Sequence, residues 1–161
     1  MFDRQYTRVD TVRQYVDNML NGVADPDGRR AGFVHLYGVG QAGALIALHR
    51  GHDREYAELA QIAGMLHDFT TYRDGTREDH AGRSSVEAEK ILTEAGCFTT
   101  EETALICHAI RNHSDKDRID TEFDEILKDA DEMQHWLRNP MEEFFFRKDR
   151  AQKIVREFGL L

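Results

Sequence analysis

Two adjacent side chains, His67 and Asp68, close a stretch whose apolar residues Leu59, Ile62, Ala63 and Leu66 recur at helical spacing. Upstream lies His35, in FVHLYGV, and downstream lie Asp129 and Asp131, in ILKDADEMQHW. Two imidazoles and two carboxylates brought together make a mixed nitrogen and oxygen donor set suited to a first-row divalent ion. By helical period His67 falls at the edge of the apolar stripe and Asp68 a further step round, so an ion in the groove between them is within reach of both. His35 sits in the most apolar helix of the chain, where an unpaired polar group costs about 1–3 kcal/mol. A backbone carbonyl would satisfy it as well as an ion would. Asp129 and Asp131 flank the stripe of Ile126, Ala130, Met133 and Leu137 on opposite sides, so periodicity does not choose between them.

The elements that must position these residues are helical. At 161 residues, 40% hydrophobic and 32% charged, the chain has the size and composition of one globular domain with a real core. A first helix is expected from Arg8 to Asn21, ended by the turn-forming stretch NGVADPDG. A second, Gly32 to Arg50, is apolar or small on most sides and reads as central. A third covers Glu55 to Asp68. Phe69 to Gly82 reads as a polar loop bordering any site built on His67 and Asp68. Ser84-x-x-Glu87 and Thr99-x-x-Glu102 carry the capping-box signature and open helices to Ala95 and Asn112. Thr121 to Leu137 forms another, and Asn139 with Pro140 opens the last, stopped by Gly159. There is no alternating strand pattern. The expected fold is an all-α, single-domain bundle of about six to seven helices over residues 1–161.

Gly38-Val39-Gly40-Gln41-Ala42-Gly43 fits the dinucleotide fingerprint G-x-G-x-x-G. That motif needs a preceding strand and β-α alternation after it. Here the following segment, ELAQIAGMLHDF, is helical by period, so the glycines are read as surfaces for close helix packing.

The order H…HD…D on helical segments resembles the HD-domain superfamily of metal-dependent phosphohydrolases, over roughly Gly32 to Leu137. The resemblance implies an HD-type bundle and a metal held by His35, His67, Asp68 and Asp131, the last because Ala130-Asp131-Glu132-Met133 is similar to the family's A-D-x-L segment. Asp129 is then a candidate for orienting an imidazole N–H. Members with two metals carry further histidines at places resembling DHAGRSS and AIRNHSD, which are His80 and His113 here; these are expected to contact substrate phosphate or a second ion. Helical period turns His113 inward and His108 aside. His49, His52 and His135 read as surface residues. The glutamate or lysine that some subgroups carry after HD is absent from Phe69-Thr70-Thr71-Tyr72, so either a helper such as Asp74, Asp115 or Lys116 is needed or the metal-bound water must suffice.

The function this implies is hydrolysis of a small phosphorylated, nucleotide-like substrate at His67 and Asp68, with a divalent ion (Mn, Fe, Ni, Mg or Zn). Arg73 and Lys116 are the first candidates to grip the phosphate, among Arg77, Arg83 and Arg111. A non-catalytic metal- or nucleotide-binding regulatory module with the same fold is the alternative. The net charge of −9 disfavours nucleic-acid polymers as partners. No signal peptide or membrane-length apolar run is evident, and Cys97 and Cys107 form no C-x-x-C pair, so a cytoplasmic location is expected. Phe144-Phe145-Phe146 could serve a homodimer contact, with a core role the expected one.

Overall fold

A computed structural model describes residues 7–141 and 149–161, and all regular structure among them is helical. The order is α1 (Arg8–Asn21), α2 (Pro26–His49), α3 (Arg54–Leu66), α4 (Phe69–Asp74), α5 (His80–Ala95), α6 (Thr100–Asn112), α7 (Glu122–Arg138) and α8 (Asp149–Glu157). Side chains set most of the starts. Thr7, Thr99 and Thr121 form capping boxes with Asp10, Glu102 and Asp124. Asp25 and Asp53 accept from backbone N–H groups of the first turns of α2 and α3. Each cap satisfies donors that the helix itself cannot.

The central helix α2 packs against α3 and α7. Its closeness to α3 depends on missing side chains. A Cβ at Gly40 would stand 2.8 Å from the Gln61 carbonyl oxygen, and one at Gly64 would stand 2.6 Å from the Cα of Gly40. The G-x-G-x-x-G run is therefore a packing surface inside a helix. A third glycine, Gly38, makes room for α7: a Cβ there would meet Cγ of Gln134 at 2.7 Å. By length and composition α2 does meet the requirement for a membrane span, contrary to the reading of its apolar runs. Half of its most apolar window is buried within the bundle, and Leu36, Val39, Ile46 and Ala47 belong to the core.

Helix α7 is buried from Phe123 to Met133 apart from a partly covered Glu125, although it carries several charges. Buried charges persist when paired, and these are. Lys128 is wholly enclosed and donates to Asp120 at 2.7 Å and to the Arg118 carbonyl at 2.8 Å. That pairing ties the α6–α7 connection down onto α7.

Several sequence expectations need correction. Phe69 to Gly82 is not all loop: Phe69–Asp74 is the short helix α4, with Phe69 and Thr70 buried. Helix α5 opens at His80, not Ser84. The Ser84 hydroxyl is turned inward, accepting from the Thr70 N–H at 3.2 Å, so it clasps α4 to α5 instead of capping. Helix α2 starts earlier than Gly32, at Pro26, because Asp25 caps it. Asn139 closes α7, Leu137 is exposed, and Pro140 lies in a turn. Phe144, Phe145 and Phe146 fall outside the described residues.

Gly64→Ala should destabilise the fold by about 3 kcal/mol, because the new methyl meets backbone that cannot swing away. At 2–4 °C per kcal/mol for a chain of this size, thermal denaturation should show a fall of roughly 10 °C. An unchanged midpoint would mean that α2 and α3 are not this close.

Candidate metal centre

Three histidines near the centre of the bundle share one device. His67, at the C-terminal end of α3, places Nδ1 2.7 Å from the carbonyl oxygen of Gly64. His113, at the end of α6, does the same with Ile110 at 2.6 Å. His80 does so with Arg77 at 3.0 Å. In each case a carbonyl three residues back accepts the Nδ1 proton; for His67 this uses an oxygen left over at a helix end, whereas the Ile110 oxygen also accepts the His113 backbone N–H. His35 is fixed differently: its Nδ1 donates to Oε1 of Gln134 at 2.8 Å. All four rings are thereby set with Nε2 as the atom left to accept or ligate.

Those atoms converge on two carboxylates. Nε2 of His35 and Nε2 of His67 are 3.2 Å apart. Asp131 Oδ1 lies 3.5 Å from the first and 3.9 Å from the second. Asp68 Oδ2 lies 3.7 Å and 3.8 Å from the same two nitrogens. The other oxygen of Asp68, Oδ1, faces His113 Nε2 at 3.5 Å and His80 Nε2 at 3.6 Å. His35, His67 and Asp131 form one buried group able to hold a metal ion, and His67, Asp68 and His113 form another. Asp131 Oδ1 is buried with no hydrogen-bond partner. A buried carboxylate oxygen that makes no hydrogen bond, yet lies 3.4–3.9 Å from the Nε2 atoms of His35, His67 and His135, is what a cation would satisfy, so the residues present fit a divalent ion.

The electrostatics agree. Burial pushes the His67 imidazole down to about 3, against the pull of Asp68 in the other direction, so this ring is neutral and able to ligate near pH 7. Burial acts to raise Asp131, but the Lys116 ammonium above all holds it well below the usual carboxylate range. Lys116 Nζ sits 2.5 Å from Asp131 Oδ2.

Other expected residues are placed unequally. Arg73 turns away from the centre, to Asp74 at 2.8 Å and Glu87 at 3.1 Å, so its charge is already taken by carboxylates on α4 and α5. Asp74 is engaged there too, by Arg73 and Arg83. Arg77 comes closer, with Nη2 3.9 Å from Asp68 Oδ2. Asp129 does not orient an imidazole. Arg50 at 2.7 Å and Arg150 at 2.8 Å hold its two oxygens on the side of α7 away from the rings. His108 is largely exposed and pairs with Asp124. The orienting role falls to Gln134, which the sequence reading missed; Asp131, Gln134 and His135 stand three and four residues apart, hence on one face of α7. His135 is only partly exposed. Its ring centroid is 5.0 Å from that of His35 and its Nε2 is 3.4 Å from Asp131 Oδ1.

The model of the HD domain matches residues 32–136. The chain belongs to the HD-domain family. Among solved structures, this HD protein is similar to a predicted HD superfamily hydrolase from an uncultured Thermotogales bacterium, with a TM-score of 0.67 and 23% identity. The match covers 97% of this chain and 87% of the other, and shows a shared fold. No curated protein matches.

The neutrality of His67 makes stability depend on pH. The unfolded imidazole takes up a proton near 6.5 and the folded one near 3, so stability present above pH 6.5 is lost as the pH falls. At about 1.4 kcal/mol per pH unit, this group should account for a loss of roughly 2 kcal/mol between pH 6.5 and pH 5. Urea denaturation of chelator-treated protein should show it, and the loss should shrink in His67→Gln. A stability flat across that interval would contradict a neutral, buried His67.

Proposed function

We propose that this HD protein is a metal-dependent phosphohydrolase acting on a small phosphorylated, nucleotide-like substrate. The observation that carries the reading is the meeting of His35 Nε2, His67 Nε2, Asp68 Oδ2 and Asp131 Oδ1, with Asp131 Oδ1 left unpartnered. These four residues would hold the divalent ion, and of Mn, Fe, Ni, Mg and Zn the oxygen-preferring Mg suits two imidazoles least. When bound, an ion of this kind supplies Lewis acidity and an activated water for phosphate-ester hydrolysis.

The chain's own residues do the rest. Gln134 and the Gly64 carbonyl hold two rings in the ligating tautomer. Lys116 and Arg77 bring positive charge to the rim of the site, which an anionic substrate needs in a protein of net charge −9. His80 and His113, facing Asp68 Oδ1, would hold a second cation through Nε2 or, as imidazolium, donate to a phosphoryl oxygen. Burial raises the Tyr72 phenol to about 12, so beside His35 it stays a neutral O–H donor. The description of the Thermotogales structure as a predicted HD superfamily hydrolase supports the hydrolase reading. A second reading, a non-catalytic metal- or nucleotide-binding module, is favoured by one feature. The residues after Asp68 supply no acid or base, and the first two are buried in the packing of α4.

Phosphate release from a panel of nucleotide monoesters and diesters, with added Mn²⁺, tests the proposal. Asp68→Asn, which changes charge without changing shape, should lower kcat by more than the roughly 10–100-fold typical of residues that only orient a ligand. Its helical circular dichroism should be unchanged. Asp131→Ala should lose more bound metal by elemental analysis than Asp129→Ala, which should lose thermal stability. Stoichiometric metal with no turnover on any substrate would favour the module instead.

A further inference from the structure

Asp131 has one buried oxygen that makes no hydrogen bond. Its Oδ2 is taken by Lys116 Nζ, which leaves Oδ1 facing the imidazoles. Lys116 lies on the connection between α6 and α7, and its backbone is gripped from α8. Arg150 donates to the Lys116 carbonyl through Nε at 3.1 Å and Nη2 at 3.0 Å. The same guanidinium donates to Asp129 Oδ1 at 2.8 Å and Glu125 Oε2 at 2.7 Å, both on α7. A planar fork anchored on two carboxylates of α7 thus fixes residue 116 relative to the helix that carries Asp131. Arg150 borders an open cleft of about 970 Å³ with Lys116 and Asp129, so it does not serve to fill the apolar core.

We infer that Arg150 is a positioning residue for the metal centre: it holds Lys116 on Asp131 so that Asp131 presents Oδ1 alone to the ion. The inference rests on the metal reading above. It also makes α8, which lies outside residues 32–136 of the HD match, part of the site. Two effects of Lys116 on a bound cation oppose each other. Its charge repels the ion, while its hydrogen bond holds the ligating oxygen in place. Orientation is taken as the larger effect, since partners that orient a metal ligand are worth about 10–100-fold in affinity.

The test is Mn²⁺ affinity of the full chain, measured by competition with a chromophoric chelator. Arg150→Met should bind Mn²⁺ about 10-fold more weakly, as should Lys116→Met, and the double variant should be no weaker than either alone. Arg50→Met removes the other arginine from Asp129 and the bond to Glu157 on α8 without touching Lys116. It should lower the melting temperature yet leave Mn²⁺ affinity unchanged. Unchanged or tighter binding by Arg150→Met, additive losses in the double variant, or equal weakening by Arg50→Met would each overturn the inference. A wild-type chain that takes up no Mn²⁺, Fe²⁺ or Ni²⁺ would refute the metal reading, and the inference with it.

Discussion

Lone pairs that face one another in a buried space repel unless a cation or a proton lies between them. The bundle is built round such a meeting. His35 and His67 direct their Nε2 atoms at each other across 3.2 Å, with a carboxylate oxygen from Asp68 on one side and from Asp131 on another. Folding brings these acceptors together only because their other ends are secured. Gln134 and the Gly64 carbonyl take the Nδ1 protons, and Lys116 occupies the second oxygen of Asp131. Asp68 divides its two oxygens between this group and the pair His80 and His113, so one carboxylate joins both halves of the centre.

The helix packing serves the same end. His35 and His67 lie on different helices, and their separation is set by the approach of α2 to α3 at Gly40 and Gly64. A bulkier contact there would separate the rings. Across the other face of α2, Gly38 leaves space for Gln134, so the residue that orients His35 depends on a glycine in the next turn of the helix. The glycine-rich run that imitates a dinucleotide loop is therefore tied to the candidate site through sterics.

Much of this was legible in the sequence. The apolar stripe ending at His67-Asp68, the capping box at Thr99, the helix start at Thr121 and the apolar character of α2 are local signals, and local signals set these helices. The inward turn of His113 followed from helical period. What was illegible depends on tertiary choice. Ser84 has a capping sequence, but Thr70 claims its hydroxyl, so the helix starts at His80. Asp129 and Asp131 are alike by period, and only the positions of Arg50, Arg150 and Lys116 separate them. Gln134 was overlooked and His135 was assigned to the surface, although they stand three and four residues after Asp131; a helical projection through that aspartate would have found both. Arg73 shows the converse, a cation next to the motif whose neighbours Asp74 and Glu87 turn it elsewhere.

The central claim is that these four side chains hold an ion, and anomalous diffraction from crystals loaded with Zn²⁺ tests it most directly. The account predicts a peak about 2.0–2.2 Å from Nε2 of His35 and His67 and from one oxygen each of Asp68 and Asp131. A peak held by other residues, or none at this position in fully loaded crystals, would contradict it.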